Sequence, residues 1–352
     1  MNNLLRPEIA SLAEYRLSQH PFRIKLNQNE NPYELPPDIK EEIVRKLAAA
    51  RWSRYPAFVP KEQIAKVATF AGWRSDGTLI GNGSNDLLQL LFTCVLERGK
   101  TAVISQPTFT LYKLLTRSLG ADLCEVPMTP GFGFDVDQII GTAQANHASL
   151  IVLCTPNNPT GSCLTRDEVA KIVESTESLV VLDEAYVQFS GESQVNLLER
   201  YDRLVILQTF SKAMGAAGLR FGYALGAPAL MRQLDKVKLP YSVNIFTLLA
   251  AETLIDHWGD ISWWIGKLVG ERERIRQALS RIPTVKVYPS GANFLLFETL
   301  VKGASDLFRA IAEQGILIRD VSSYPMLERG LRVSIGTPEE NDEFLNALRS
   351  AL

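Results

Sequence analysis

The chain is poor in the residues on which several large function classes depend. Its 352 residues hold three histidines, His20, His147 and His257, with no HExxH and no i, i+4 pair, so a metal centre has no ligand set to rest on. They read as surface or cap residues. Four cysteines, Cys94, Cys124, Cys154 and Cys163, form no CxxC pair and read as buried thiols rather than disulfides or ligands. Charge of one sign is missing too: 37 Lys and Arg against 39 Asp and Glu leave a formal charge of −2, which argues against nucleic acid or a membrane surface as a partner held by bulk charge. No apolar run approaches the roughly 18 residues of a spanning helix, and the opening MNNLLRPEIASLAEYR has no basic head before an apolar stretch, so a cytoplasmic protein is expected. Two nucleotide signatures fail as well. Gly99-Lys100-Thr101 ends like a P-loop but has Cys94 where the earlier glycine is required, and residues 81–86, GNGSND, put Asp86 in place of the third glycine of a dinucleotide fingerprint.

What the chain does have is length, an ordinary globular balance of 46% hydrophobic and 22% charged residues, and a regular alternation. At this size one core stops growing, so two unequal units are expected. Short β-branched runs at 78–81, 101–105, 121–127, 149–154, 178–184, 203–209 and 221–226 alternate with helical patterns, several of the runs being apolar on both faces as central parallel strands are. Among the helical segments, residues 165–176 open with a capping-box spacing from Thr165 to Glu168. The expected architecture is α/β: a large domain (35–243) built on a mostly parallel seven-stranded sheet flanked by helices, then a smaller α+β domain (244–352) that begins with a long helical stretch to Arg281. The Asn- and Pro-rich residues 1–34 read as an extended arm.

Four motifs fall at strand ends, where open α/β sheets place their ligands. Asp183 closes the apolar run SLVVL; a carboxylate there needs a cation, and a protonated pyridine nitrogen would be one, although taken alone Asp183 is equally a helix N-cap. Lys212, in TFSKAMGAAGLRFGY, follows another apolar strand among small and hydroxyl residues, a dry place in which an amine can form an imine and act as general acid and base. Arg220 with Thr209 and Ser211 supplies a guanidinium and two hydroxyls, the donor set of a dianionic phosphate, and Gly83, Ser84 and Asn85 would add backbone N–H groups at a helix N-terminus. Residues 155–161, TPNNPTG, present Asn157 and Asn158 on a stiff turn.

Nearly end to end, these motifs and KLNQNENPY (25–33), RYP (54–56), QPTF (106–109), PSGANF (289–294) and LRVSIGTPEEN (331–341) resemble the fold-type I pyridoxal-5'-phosphate aminotransferases, and within them the members that act on histidinol phosphate. The resemblance implies Lys212 as the Schiff-base lysine, Asp183 as partner of the pyridinium, and Asn158 and Tyr186 as donors to the cofactor's phenolic oxygen. It implies Phe109, where relatives commonly have Tyr, as the ring stacked on the cofactor, and Ser84, Asn85, Thr209, Ser211 and Arg220 as the phosphate holders. Tyr55 would come across a homodimer interface. Tyr15, Asn29, Arg319 and Arg332 would handle the substrate's anionic end, with Glu14 beside Tyr15, where relatives often carry Pro, pointing away or pairing with Arg16.

The implied activity is transamination between histidinol phosphate or imidazole-acetol phosphate and 2-oxoglutarate or L-glutamate, a step of histidine biosynthesis. Three alternatives share the motifs: an aromatic-amino-acid aminotransferase, a decarboxylase of a phosphorylated amino acid such as threonine phosphate, and a cofactor-binding regulator, for whose extra DNA-binding domain the chain has no spare residues.

Overall fold

The computed structural model describes residues 4–10, 12 and 20–352; Tyr15, with Glu14 and Arg16, lies outside them. Strand β1 (Ile24–Lys25) comes first. The seven apolar runs then become β2 (Thr78–Gly81), β3 (Thr101–Gln106), β4 (Asp122–Pro127), β5 (Leu150–Cys154), β6 (Leu179–Asp183), β7 (Leu204–Thr209) and β8 (Gly222–Gly226), one sheet in the order β2-β8-β7-β6-β5-β3-β4. Only β8 breaks the parallel run, pairing antiparallel with β2 and β7. β5 and β7 are buried along their whole length, because helices cover both faces of the sheet.

One face carries the helices Pro37–Ala49, Lys61–Ala71, Val136–Ala145 and Arg166–Ser175, whose Ile39, Val67, Ile139 and Val169 fill one core. The other carries Ser84–Val95, Thr110–Ser118 and Pro228–Asp235, contributing Leu87, Tyr112 and Met231. Helix Arg166–Ser175 starts with the capping box read from its sequence: Glu168 donates its amide to the Thr165 hydroxyl, and its carboxylate accepts from the Thr165 amide.

Strands β9 (Val285–Val287), β10 (Phe294–Thr299), β11 (Ile316–Leu317), β12 (Arg319–Asp320) and β13 (Gly330–Ser334) belong to the C-terminal part. There an antiparallel sheet β12-β13-β10-β9 packs with the helices Trp263–Ser280, Ala304–Ala312 and Pro338–Ala351. β1, inside the expected arm, pairs in parallel with β11. The helical stretch that begins at residue 244 is three helices, Ile245–Asp256, Trp258–Ile261 and Trp263–Ser280. Leu248, Ala251 and Leu254 of the first are buried in the large-sheet core. His257 caps that helix, its ring between Glu42 (3.0 Å) and Asp260 (2.8 Å).

The cysteine expectation is corrected. All four are free, but only Cys154, inside β5, is buried; Cys124 is half-buried, and Cys94 and Cys163 are exposed. The inward positions of helix Ser84–Val95 are Leu87, Leu88, Leu91 and Phe92, so Cys94 turns outward despite apolar neighbours in sequence. Cys163 lies in the loop after β5. Among the described residues no helix is long and apolar enough to cross a membrane, and no group of His, Cys, Asp and Glu could hold a metal ion.

Candidate active site

The loops leaving the carboxyl ends of β3, β5, β6 and β7 converge with residues 27–30 and with the β12–β13 pair around one cavity of about 450 Å³. Lys212 follows β7. Its ammonium donates to the Gln28 carbonyl at 2.8 Å and lies 5.9 Å from the centre of the Tyr186 ring. Burial, and then the Arg332 guanidinium, pull its proton affinity down to about 7. Near neutral pH a large fraction of this amine is therefore unprotonated, which an ordinary surface lysine is not.

Asp183, the last residue of β6, is 4% exposed. It accepts from the Tyr112 hydroxyl at 2.7 Å and from the Ala185 amide at 3.1 Å. Burial raises its proton affinity, the two hydrogen bonds oppose that, and among the described residues no Lys or Arg pairs with it. A buried carboxylate at the cavity wall without a cation calls for a cationic ligand group.

At the β7 and β8 ends the Thr209 hydroxyl donates to the Phe221 carbonyl at 3.2 Å and lies 3.0 Å from the Ser211 hydroxyl, to which Arg220 donates at 3.2 Å. Arg220 has a left-handed backbone, φ 56°, which turns its side chain back toward this cup. Helix Ser84–Val95 begins at the same place, so its first amides, which have no partner within the helix, join two hydroxyls and a guanidinium. Gly83 suits this turn because its φ is 83°, and a Cβ would lie 2.6 Å from the Arg220 guanidinium, which would have to move.

Asn157 is wholly buried, accepts from the Thr108 hydroxyl at 2.7 Å and donates to the Pro107 carbonyl and the Thr160 hydroxyl, so it fastens two loops together. Those loops carry Phe109 and Asn158 to the cavity. Asn29, expected among the substrate residues, donates to the Tyr186 hydroxyl at 3.0 Å. Arg332 on β13 donates to Asn158 (2.5 Å) and to the Asn27 carbonyl (2.6 Å), and its guanidinium sits 5.2 Å from the Phe294 ring. Arg319 on β12 stands opposite Arg332 in the ladder and also lines the cavity.

The residues assigned to the site by the resemblance lie at this cavity except two, while Asn157, expected beside Asn158 on the same turn, faces the interior instead. Tyr15 is outside the described residues, and Tyr55, 80% exposed, stacks on Tyr241 at 4.5 Å instead. Sequence reading missed Tyr112, the Gln28 carbonyl, Cys154, Glu30 and Tyr324. Tyr112 lies three residues after Phe109, the residue that caps helix Thr110–Ser118, but nothing in that spacing points to Asp183.

The donor set fits pyridoxal 5'-phosphate: an anion cup for the phosphate, a buried carboxylate for the ring nitrogen, an amine of lowered proton affinity for the aldehyde, and Phe109 for the ring face. The family model "Aminotransferase class I and II" matches residues 23–348, and the chain belongs to that family. It is 37% identical to the histidinol-phosphate aminotransferase of Chlorobaculum tepidum over 98% of this chain and 99% of that protein. Among solved structures, the histidinol-phosphate aminotransferase of Sinorhizobium meliloti in complex with pyridoxal-5'-phosphate superposes with a TM-score of 0.87 at 24% identity, covering 99% of this chain and 98% of that one. The L-threonine-O-3-phosphate decarboxylase of Porphyromonas gingivalis gives 0.82 at 25% identity, covering 93% and 98%.

Proposed function

We propose that the protein is a pyridoxal-5'-phosphate-dependent transaminase exchanging the amino group between histidinol phosphate or imidazole-acetol phosphate and L-glutamate or 2-oxoglutarate, in histidine biosynthesis. The observation that carries it is a cavity with cations at two ends, Arg220 beside the hydroxyl cup and the Arg319–Arg332 pair on adjacent strands, both guanidinium groups of Arg332 and Arg220 acting on Lys212. One end suits a cofactor phosphate; the other takes a carboxylate or a second phosphate. The full-length likeness to histidinol-phosphate aminotransferases supports that choice of substrate.

When bound, pyridoxal 5'-phosphate would supply an amine-reactive aldehyde and an electron-withdrawing ring. Asp183 would hold a proton on the ring nitrogen by its negative charge. Phe109 would cover the ring face, and Asn158 and Tyr186 would donate hydrogen bonds to the phenolic oxygen. Arg332 fixes the carboxylate of glutamate, and Arg319 with Arg332 fixes the phosphate of histidinol phosphate, in one orientation relative to Lys212. With the cofactor and substrate in place, Lys212 Nζ would stand as the base and acid that moves the substrate's α-proton, its lowered proton affinity suiting that role.

The working assembly in this reading is a homodimer. Trp52, Tyr55, Phe58 and Leu239 are each more than two-thirds exposed, and Phe58 stands edge-on to Tyr241 at 5.6 Å beside the Tyr55 stack; a second copy would cover this apolar face.

Single-turnover spectra test the reaction. Mixing the holoenzyme with histidinol phosphate is expected to convert the cofactor's aldehyde-form band to the amine-form band, with a much weaker response to phenylalanine. An equal response to aromatic amino acids makes it an aromatic aminotransferase, and carbon dioxide release from threonine phosphate makes it a decarboxylase.

A further inference from the structure

Tyr112 is wholly buried, in the core between the sheet and helix Thr110–Ser118, yet its hydroxyl ends on the buried Asp183 carboxylate at the cavity wall. Its ring meets Phe109 edge to face, centroids 5.6 Å apart at 90°, so one side chain touches both the ring-stacking residue and Asp183. The carboxylate has four acceptor positions. Tyr112 occupies one on Oδ2 and the Ala185 amide one on Oδ1, which fixes the plane of the group and leaves an acceptor position on each oxygen for a ligand.

A buried tyrosine needs an acceptor, and a main-chain carbonyl would satisfy it without involving the site. A neutral donor also differs from a cation: it stabilises and orients the carboxylate while leaving its negative charge uncompensated for the ligand.

We propose that Tyr112 is a positioning residue for Asp183, its hydroxyl setting both the orientation of the carboxylate and how strongly it competes for the proton on the cofactor's ring nitrogen. The inference rests on the pyridoxal-phosphate reading of the site. Without the hydroxyl the carboxylate is more basic and freer to rotate, the shared proton moves toward Asp183, and the ring nitrogen loses part of its charge.

The test uses the holoprotein with an isotope-labelled ring nitrogen, read by NMR, and cofactor titration of the apoprotein. In Tyr112→Phe the nitrogen signal is expected to shift toward the unprotonated form, and cofactor binding to weaken by roughly tenfold. In an Asp183→Asn background the same substitution is expected to change neither, because Tyr112 acts through Asp183. A ring-fluorinated tyrosine at position 112, a stronger donor of nearly the same shape, is expected to move the signal the opposite way and keeps the question answerable if the Phe variant folds poorly. Unmoved nitrogen signals in both single replacements, or a tenfold loss that persists in the Asn background, overturn the proposal. A wild-type protein that binds no cofactor overturns instead the site reading on which it rests.

Discussion

Gly222 is the most tightly hemmed glycine at the site. A Cβ at this first residue of β8 would lie 2.4 Å from the Ser84 amide nitrogen, 2.7 Å from the Gly83 carbonyl carbon and 3.1 Å from the Gln208 oxygen, all backbone atoms that no rotamer change can move. Ordinary contact begins at 3.4 Å, so Gly222→Ala must push the start of helix Ser84–Val95 away from the sheet by about 1.0 Å (3.4 minus 2.4). Overpacking of this kind costs about 1–3 kcal/mol of stability. The displacement also draws the helix amides off the anion they are proposed to hold, and losing one hydrogen bond to a charged group, about 1.5–3 kcal/mol, weakens cofactor binding by about 10- to 150-fold. Absorbance titration of the apoprotein with pyridoxal 5'-phosphate measures the affinity, and thermal melting of the apoprotein separates the stability cost. Gly141→Ala is the control: it lies in a helix away from the cavity with nothing within 4 Å of its Cβ, and is expected to melt slightly higher with unchanged affinity. A Gly222→Ala protein that binds the cofactor as the wild type does would falsify the proposed role of the helix N-terminus.

Other perturbations probe separate parts of the molecule. Glu184 is buried beside Ser193, the Gln194 amide and Gln208, and burial pushes its carboxyl from the ordinary 4.5 to about 7. Its folded-state affinity is raised, so its contribution is fully present below about pH 4.5 and is lost as pH rises through about 7, at most about 3 kcal/mol; Glu184→Gln is expected to flatten that part of the melting-temperature profile, and an unchanged slope refutes the assignment. Arg319→Gln is expected to raise KM for histidinol phosphate by about 10- to 100-fold with little change in cofactor affinity, and equal KM values remove Arg319 from the substrate end. Sedimentation is expected to show a dimer, with Tyr55→Ala weakening cofactor binding in it; a monomer that binds cofactor fully contradicts the role given to Tyr55. Capture of the cofactor by the apoprotein is expected to accelerate as pH rises through about 7 and then level, following the neutral Lys212 amine.

The sheet was legible because its strands are continuous apolar runs closed by turn residues, and those closing residues are the site: Asp183, Asn158, Thr209 and Lys212 each stand at or just after a strand end. Side-chain contacts across the fold were not. Nothing in the sequence near residue 112 says that its hydroxyl reaches residue 183, 71 positions on, or that Asn29 bonds Tyr186 rather than standing free for substrate. Asp183 itself was open to a reading as a helix cap, and the structure ends β6 there with only a three-residue 3₁₀ turn, Val187–Phe189, beyond it. The cysteines show the limit from the other side: local hydrophobicity marked them as buried, and the helix face, set by a 3.6-residue period, turned Cys94 out.

The most direct measurement on the central claim is borohydride reduction of the cofactor-loaded protein, proteolysis and mass spectrometry of the lysine-containing peptides. A reduced pyridoxyl-phosphate mass on Lys212 alone, absent from Lys212→Ala, is the expected result. Label on a different lysine, or none on a protein saturated with cofactor, contradicts the assignment of Lys212 and with it the chemistry proposed for the cavity.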